Sequence, residues 1–201
     1  MFVQVISGKV TDPEAMQRAS DRWERDLRPG AIGYLGTTIG VTDDNHFVVL
    51  ARFESPEAAA KNSARPEQGE WWSDMQQHVS DVVVHDCSRV ETLFGGGKDD
   101  AGFVQVMQGR IKDTAKADAF FGKSAEAEKL LGSARPDVIG EVIALHDDGD
   151  TYTDAVYFSS EAEARANESK PMPPEAQDMM TEMESAIEVT EFLDIKHPIL
   201  R

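Results

Sequence analysis

Phe2-Val3-Gln4-Val5-Ile6-Ser7-Gly8-Lys9-Val10 returns further along the chain as Phe103-Val104-Gln105-Val106-Met107-Gln108-Gly109-Arg110-Ile111. Asn62-Ser63-Ala64-Arg65-Pro66 returns as Asn167-Glu168-Ser169-Lys170-Pro171. The order is kept, and a period of roughly a hundred residues is a whole domain, not a solenoid unit of about 20–50 residues. The chain is therefore a duplication of one small fold. Two such copies are expected to pack about a pseudo-twofold axis, as a homodimer would.

Working outward from the repeat, residues 3–10 form a β-branched run that reads as a strand. Asp12 can cap a helix that starts with Pro13, and Met16, Ala19, Trp23 and Leu27 follow at helical spacing. Residues 32–41 and 47–53 are strands around the turn Asp43-Asp44-Asn45. Ser55 caps a short helix that breaks near Arg65-Pro66, and a second helical stretch over 67–80 carries Trp72, Met75 and Val79. Residues 82–93 read as the fourth strand. The second copy repeats this pattern, with a strand over 103–111 and a helix over 113–131. A hairpin follows over 139–145 and 152–158 around Asp148-Gly149, then a helix broken by Pro171, Pro173 and Pro174. A methionine-bearing helix and a last strand over 187–195 close the copy. Each copy is βαββαβ, the ferredoxin-like plait. The expected domains are 1–94 and 103–201, joined by a flexible glycine-rich linker over 95–102. A single plait leaves one sheet face bare, and the other copy is its expected cover. The expected fold is α+β: two tandem ferredoxin-like domains forming an intramolecular dimeric α/β barrel.

Composition limits the function. The net charge is −17. Lys plus Arg against Asp plus Glu is 10 against 17 in residues 1–100 and 10 against 20 in 101–201, so both halves are acidic. Neither has a basic block, which argues against a nucleic acid or an anionic membrane surface as partner. The single cysteine, Cys87, allows no intrachain disulfide. A strand pattern directly after Met1 leaves no room for a signal peptide, so a cytoplasmic location is expected. The expected partner is a small-molecule ligand, with a further homodimer left open.

Arg52-Phe53-Glu54-Ser55-Pro56-Glu57-Ala58 ends a strand hairpin, a tryptophan-bearing helix follows, and then Val82-Val83-Val84-His85-Asp86. In this pattern each copy resembles the antibiotic-biosynthesis-monooxygenase type of dimeric α/β barrel. The resemblance implies the fold over nearly the whole chain and, for activity, a cofactor-independent monooxygenase of an aromatic or enolisable substrate. The alternative is a non-catalytic ligand-binding or stress-response barrel. The haem-degrading branch ranks lower. It uses a first-strand asparagine, a helix tryptophan and a ligating histidine, where this chain has Gln4 and Ser7, then Asn62, then His78 at a longer spacing. No metal ligand set, phosphate loop or serine elbow is present, and no cofactor is expected. Asp147-Asp148-Gly149-Asp150 is explained as hairpin-turn chemistry.

The candidate catalytic bases are His78 and His85, with Trp71 and Trp72 as walls and Gln4, Asn62 and Arg65 as polar contacts. Gln105 matches Gln4, and the pair either faces the cavity or makes structural hydrogen bonds. Trp71 and His78 read either as a stacking wall with a proton carrier, or as a rim residue and a solvated histidine. Arg65 either meets an anionic ligand or pairs on the surface. His85 and Cys87 face away from Asp86 on a strand, so they form no triad, and Glu191 is matched to Asp86. The second copy replaces tryptophan and histidine by Met179, Met180 and Met183. A single active site is therefore expected in the first copy.

Overall fold

The computed structural model describes all 201 residues. The chain divides into two units, 1–88 with 199–201, and 89–198.

In the first unit, β1 (Phe2–Val10) runs into α1 (Pro13–Arg22). The Asp12 carboxylate accepts from Ala15 N, and Pro13 occupies the first turn, as the sequence predicts. A π-helical turn (Trp23–Leu27) and a 3-10 turn (Arg28–Gly30) lead to the hairpin β2 (Tyr34–Val41) and β3 (His46–Phe53). Asn45 takes the left-handed conformation at the hairpin turn (φ 65°). Ser55 caps α2 (Pro56–Ser63), α3 (Pro66–Met75) follows, and a 3-10 turn ends at His78 before β4 (Val79–Cys87). The final strand of the chain, β10 (Ile199–Leu200), pairs with β2, giving the order β10-β2-β3-β1-β4.

The second unit opens on β5 (Arg89–Leu93), which pairs with β7 (Val138–Leu145). Between them lie β6 (Phe103–Ile111), α4 (Thr114–Phe121) and α5 (Ser124–Ala134). After β7 come β8 (Thr151–Phe158), α6 (Glu161–Glu168), α7 (Pro174–Ala186) and β9 (Ile187–Ile195). The sheet order is β5-β7-β8-β6-β9. Both sheets are antiparallel, and each unit is a ferredoxin-like plait with one extra edge strand. The fold is a tandem duplication of that plait.

Three sequence expectations change. The strand expected over 82–93 is two strands, because residues 89–93 leave the first sheet and hydrogen-bond to β7. The helix expected over 113–131 breaks at Gly122-Lys123, where the amides of both residues bond back to Asp118 and Phe120. The glycine-rich stretch is a packed turn in the second unit. Gly96 N bonds to Leu93 O, and a Cβ on Gly140 would lie 2.1 Å from the Gly96 carbonyl oxygen. The unit boundaries accordingly fall at 88/89 and 198/199 instead of flanking residues 95–102.

Alternation along the strands sorts the two sheet faces. Phe2, Gln4 and Ile6 point toward the helices, while Val3 and Val5 lie on the opposite face and are fully buried. No helix is long and apolar enough to cross a membrane.

Candidate functional site

Each unit holds a cavity between its sheet and its helices, of about 350 Å³ in the first unit and about 330 Å³ in the second. Both fall in the size range of small-molecule sites.

The first cavity is aromatic. All three tryptophans of the chain, Trp23, Trp71 and Trp72, line it together with Tyr34, Phe47 and Phe53. Trp23 stacks tilted on Tyr34 at 4.8 Å between ring centres, and Trp71 and Trp72 lie 6.1 Å apart. Several polar atoms of this wall are engaged by the protein. Gln4 Nε2 donates to Asp86 (3.0 Å), Trp23 Nε1 to Gln68 (2.8 Å), Trp71 Nε1 to Ala19 O (2.8 Å) and Tyr34 to Thr37 (2.7 Å). Asn62, 4 % exposed, donates to the carbonyls of Ile32 and Ala58 and accepts from Ile32 N, clamping α2 to the start of β2.

The sequence candidates are partly brought together. Gln4, Asn62, Trp71 and Trp72 share the first cavity, and Gln105 lines the second. Arg65 makes two 3.1 Å bonds to Leu27 O and pairs with Glu67, so it fastens the end of the preceding helical segment and is no anion receptor. Neither histidine lines either cavity. His78 closes a 3-10 turn, where its carbonyl accepts from Thr11 N and Oγ1. His85 lies between Val84 and Asp86, both on the cavity side of β4, so it faces the other side of the sheet. His78 is half-buried and lies outside the cavity.

Gln4–Asp86 has a counterpart in Gln105–Asp194 (2.9 Å), a first-strand amide tied to the last strand of its own plait. The register matches Asp194 to Asp86, not Glu191, which lies opposite Gln108.

The second cavity contains what the sequence reading missed. On β7, Glu141 and Ile143 face it, and on β8, Tyr152, Asp154 and Val156 do. Ile143 pairs with Asp154, which sets Glu141 diagonally across the ladder, and the two carboxyl groups interact electrostatically. Glu141 is 9 % exposed, Asp154 8 % and Tyr152 2 %. Burial drives the Glu141 pKa up to about 7, and burial with the Glu141 charge drives Asp154 upward. Burial, then the Asp154 charge, holds the Tyr152 phenol protonated well above its ordinary range. Asp154 Oδ1 and the Tyr152 hydroxyl are buried without a hydrogen-bond partner. Phe120, Phe121, Phe158, Met179 and Met183 supply the apolar wall.

The signal for this pair was present in the sequence. Two acids interrupt the apolar strands VIGEVIAL and TYTDAVYF at positions that alternation puts on one sheet face. The first-copy positions in register are Thr37 and Val49.

No protein-family model and no curated protein sequence matches the chain. Solved structures do. A candidate monooxygenase from Lactobacillus acidophilus superposes with a TM-score of 0.70 at 15% identity, over 100% of this chain and 99% of its own. An anthrone oxidase-like protein gives 0.67 at 12% identity, over 99% and 92%. A ferredoxin-fold protein related to antibiotic biosynthesis monooxygenases, from Listeria monocytogenes, gives 0.53 at 9% identity, over 98% and 95%. The chain shares the fold of the antibiotic-biosynthesis-monooxygenase type. At these identities the likeness establishes architecture and not function.

Proposed function

We propose that the chain binds a flat aromatic or enolisable small molecule between sheet and helices and oxygenates it without a cofactor. The observation that carries this is the pair of largely apolar cavities of about 350 and 330 Å³, each on the helix side of a plait. Two- and three-ring compounds suit that volume and those walls. Such a compound supplies its own electrons. Loss of a proton from a ring CH₂ gives a carbanion that reduces O₂; one oxygen atom becomes the new carbonyl and the other leaves as water. The protein's part is to remove the proton and exclude solvent. The names of the structural neighbours support this reading.

A second reading has its own support. In the first cavity the polar groups of Gln4, Trp23, Tyr34, Asn62 and Trp71 are already hydrogen-bonded. That unit is suited to hold a ligand by stacking, without turnover.

Because all three tryptophans line the first cavity, their fluorescence reports its occupancy. A panel of anthrone, naphthol and naphthoquinol compounds is titrated by fluorescence, and oxygen uptake is followed in parallel. Saturable quenching together with protein-dependent oxygen uptake is expected. Quenching without uptake across the panel favours the binding-only reading, and neither signal refutes both.

A further inference from the structure

We propose that Glu141 and Asp154 are a proton-transfer dyad in the second cavity, taking a proton from a neutral enolisable or phenolic ring compound while the Tyr152 hydroxyl donates to the oxyanion that forms. The inference deepens the oxygenase reading and rests on its substrate class, but the step itself needs no oxygen.

Three side chains from adjacent strands converge on one cavity wall, each at least nine-tenths buried. Buried polar atoms in folded proteins almost always have partners. Here two atoms on the same wall, Asp154 Oδ1 and the Tyr152 hydroxyl, have none. A ligand's polar group at this wall would find these two atoms without partners.

No cation on the wall neutralises the pair. The other charged residues lining this cavity are engaged elsewhere: Arg135 with Asp137 (2.8 Å), Lys170 with Asn167 (2.7 Å), Glu168 with Arg165 (3.1 Å) and Glu91 with Arg89 (3.9 Å). Two adjacent carboxylates in a poorly solvated site do not both ionise; they share one proton and carry one charge. Burial raises the affinity of both acids for protons, with Glu141 reaching about 7, which suits a base at neutral pH. Tyr152 keeps its proton and remains a donor.

The chemistry selects the ligand. A dyad bearing one negative charge disfavours an anion, so the ligand enters neutral. The phenylalanine and methionine walls favour a ring system. In the step, the ligand C–H or O–H bond breaks and an O–H bond forms on Glu141. The dyad becomes neutral, and the negative charge moves to the ligand oxygen facing Tyr152. No electron changes hands.

The test uses the whole chain, without oxygen, in deuterated buffer, with 2-tetralone as probe. Exchange of its benzylic protons is followed by NMR. Wild type is expected to exchange them about 100-fold faster than Glu141→Gln, the lower range for a positioned base. Tyr152→Phe should slow exchange about tenfold, roughly the net worth of one hydrogen bond to a charged group. Asp154→Asn should move the pH midpoint of the rate. Near-ultraviolet circular dichroism of the three variants should match that of wild type, which separates loss of the base from loss of the fold. Exchange in wild type no faster than in buffer, or Glu141→Gln exchanging at the wild-type rate, overturns the proposal. Exchange that persists where no oxygen uptake is found leaves the dyad standing and removes the oxygenase reading.

Discussion

The two cavities occupy the same place in their plaits and share Gln4/Gln105, Ile39/Ile143, Phe53/Phe158 and Asn62/Asn167, while other wall positions differ. Strand register puts Thr37 opposite Ala51 in the first unit and Glu141 opposite Val156 in the second. Likewise Val49 corresponds to Asp154, and Phe47 to Tyr152. Trp71, Trp72 and Met75 give way to Met179, Met180 and Met183. What both units keep is backbone geometry. The glutamine–aspartate bond recurs, and so does a first-strand glycine under a ring: a Cβ on Gly8 would lie 2.9 Å from Phe47, and on Gly109 2.8 Å from Tyr152. A duplicated scaffold therefore holds its register by a few fixed contacts and leaves the cavity wall free to specialise. In the functions proposed above, one wall stacks and the other moves protons.

The largest expected effect probes those fixed contacts. A Cβ at Gly109 would also sit 2.0 Å from Glu188 O, while at Gly8 the tightest backbone contact is 2.7 Å, to Ser80 O. Gly109→Ala forces β9 away from β6 and should cost at least about 3 kcal/mol, and Gly8→Ala less. Equal losses in urea denaturation would show that the two glycines do not differ in this way.

The next effect depends on pH and belongs to the second unit alone. The folded-state pKa of Glu141 is raised from 4.5 to about 7, so the folded state binds more protons than the unfolded state between those values. Stability is then greatest below the unfolded pKa and falls as pH rises through about 7, by on the order of 3 kcal/mol for a shift of this size. Replacing the acids by their first-unit counterparts, Glu141→Thr with Asp154→Val, should flatten this dependence and stabilise the protein above pH 8. A wild-type stability curve that is flat between pH 5 and 8 would erase the distinction between the cavities.

Asparagine in the helix break gives a smaller contrast. Asn62 is buried and holds the backbone of Ile32 at both its amide and its carbonyl, whereas Asn167 bonds only Glu163 O and Lys170 at the surface. Asn62→Ala should cost about 2 kcal/mol and Asn167→Ala under about 1 kcal/mol. Thermal denaturation of the two variants compares them directly.

The smallest effect is at His78. Outside the first cavity, it should change ligand affinity by less than about 0.5 kcal/mol when replaced by alanine. Fluorescence titration of His78→Ala checks this, and a tenfold loss would return the histidine to the site.

The sequence made the fold readable because each local choice agreed with the plait. The repeat set the period, Asp12 and Ser55 marked helix starts, and Asn45 and Gly149 marked hairpins. The departure of residues 89–93 to the second sheet was hidden, since it depends on long-range pairing with β7 and not on any local preference. Helical spacing marked Trp23 and Trp72 as buried-face residues, and both line the first cavity. His78 and His85 drew attention through residue type, but a 3-10 turn and strand alternation place them elsewhere. Glu141 and Asp154 were overlooked because an acid in a chain of net charge −17 reads as solvated surface. Only the cross-strand register shows the two meeting inside.

The most direct test is the protonation state of the two acids. Infrared difference spectra between wild type and Glu141→Gln or Asp154→Asn, at pH 7, resolve a buried protonated carboxyl from its ionised form. A carboxylic acid band in wild type at pH 7 that shifts or loses intensity in each variant, and that titrates away in wild type only as pH rises beyond about 7, is the predicted result. Two fully ionised carboxylates at pH 7 would contradict the account.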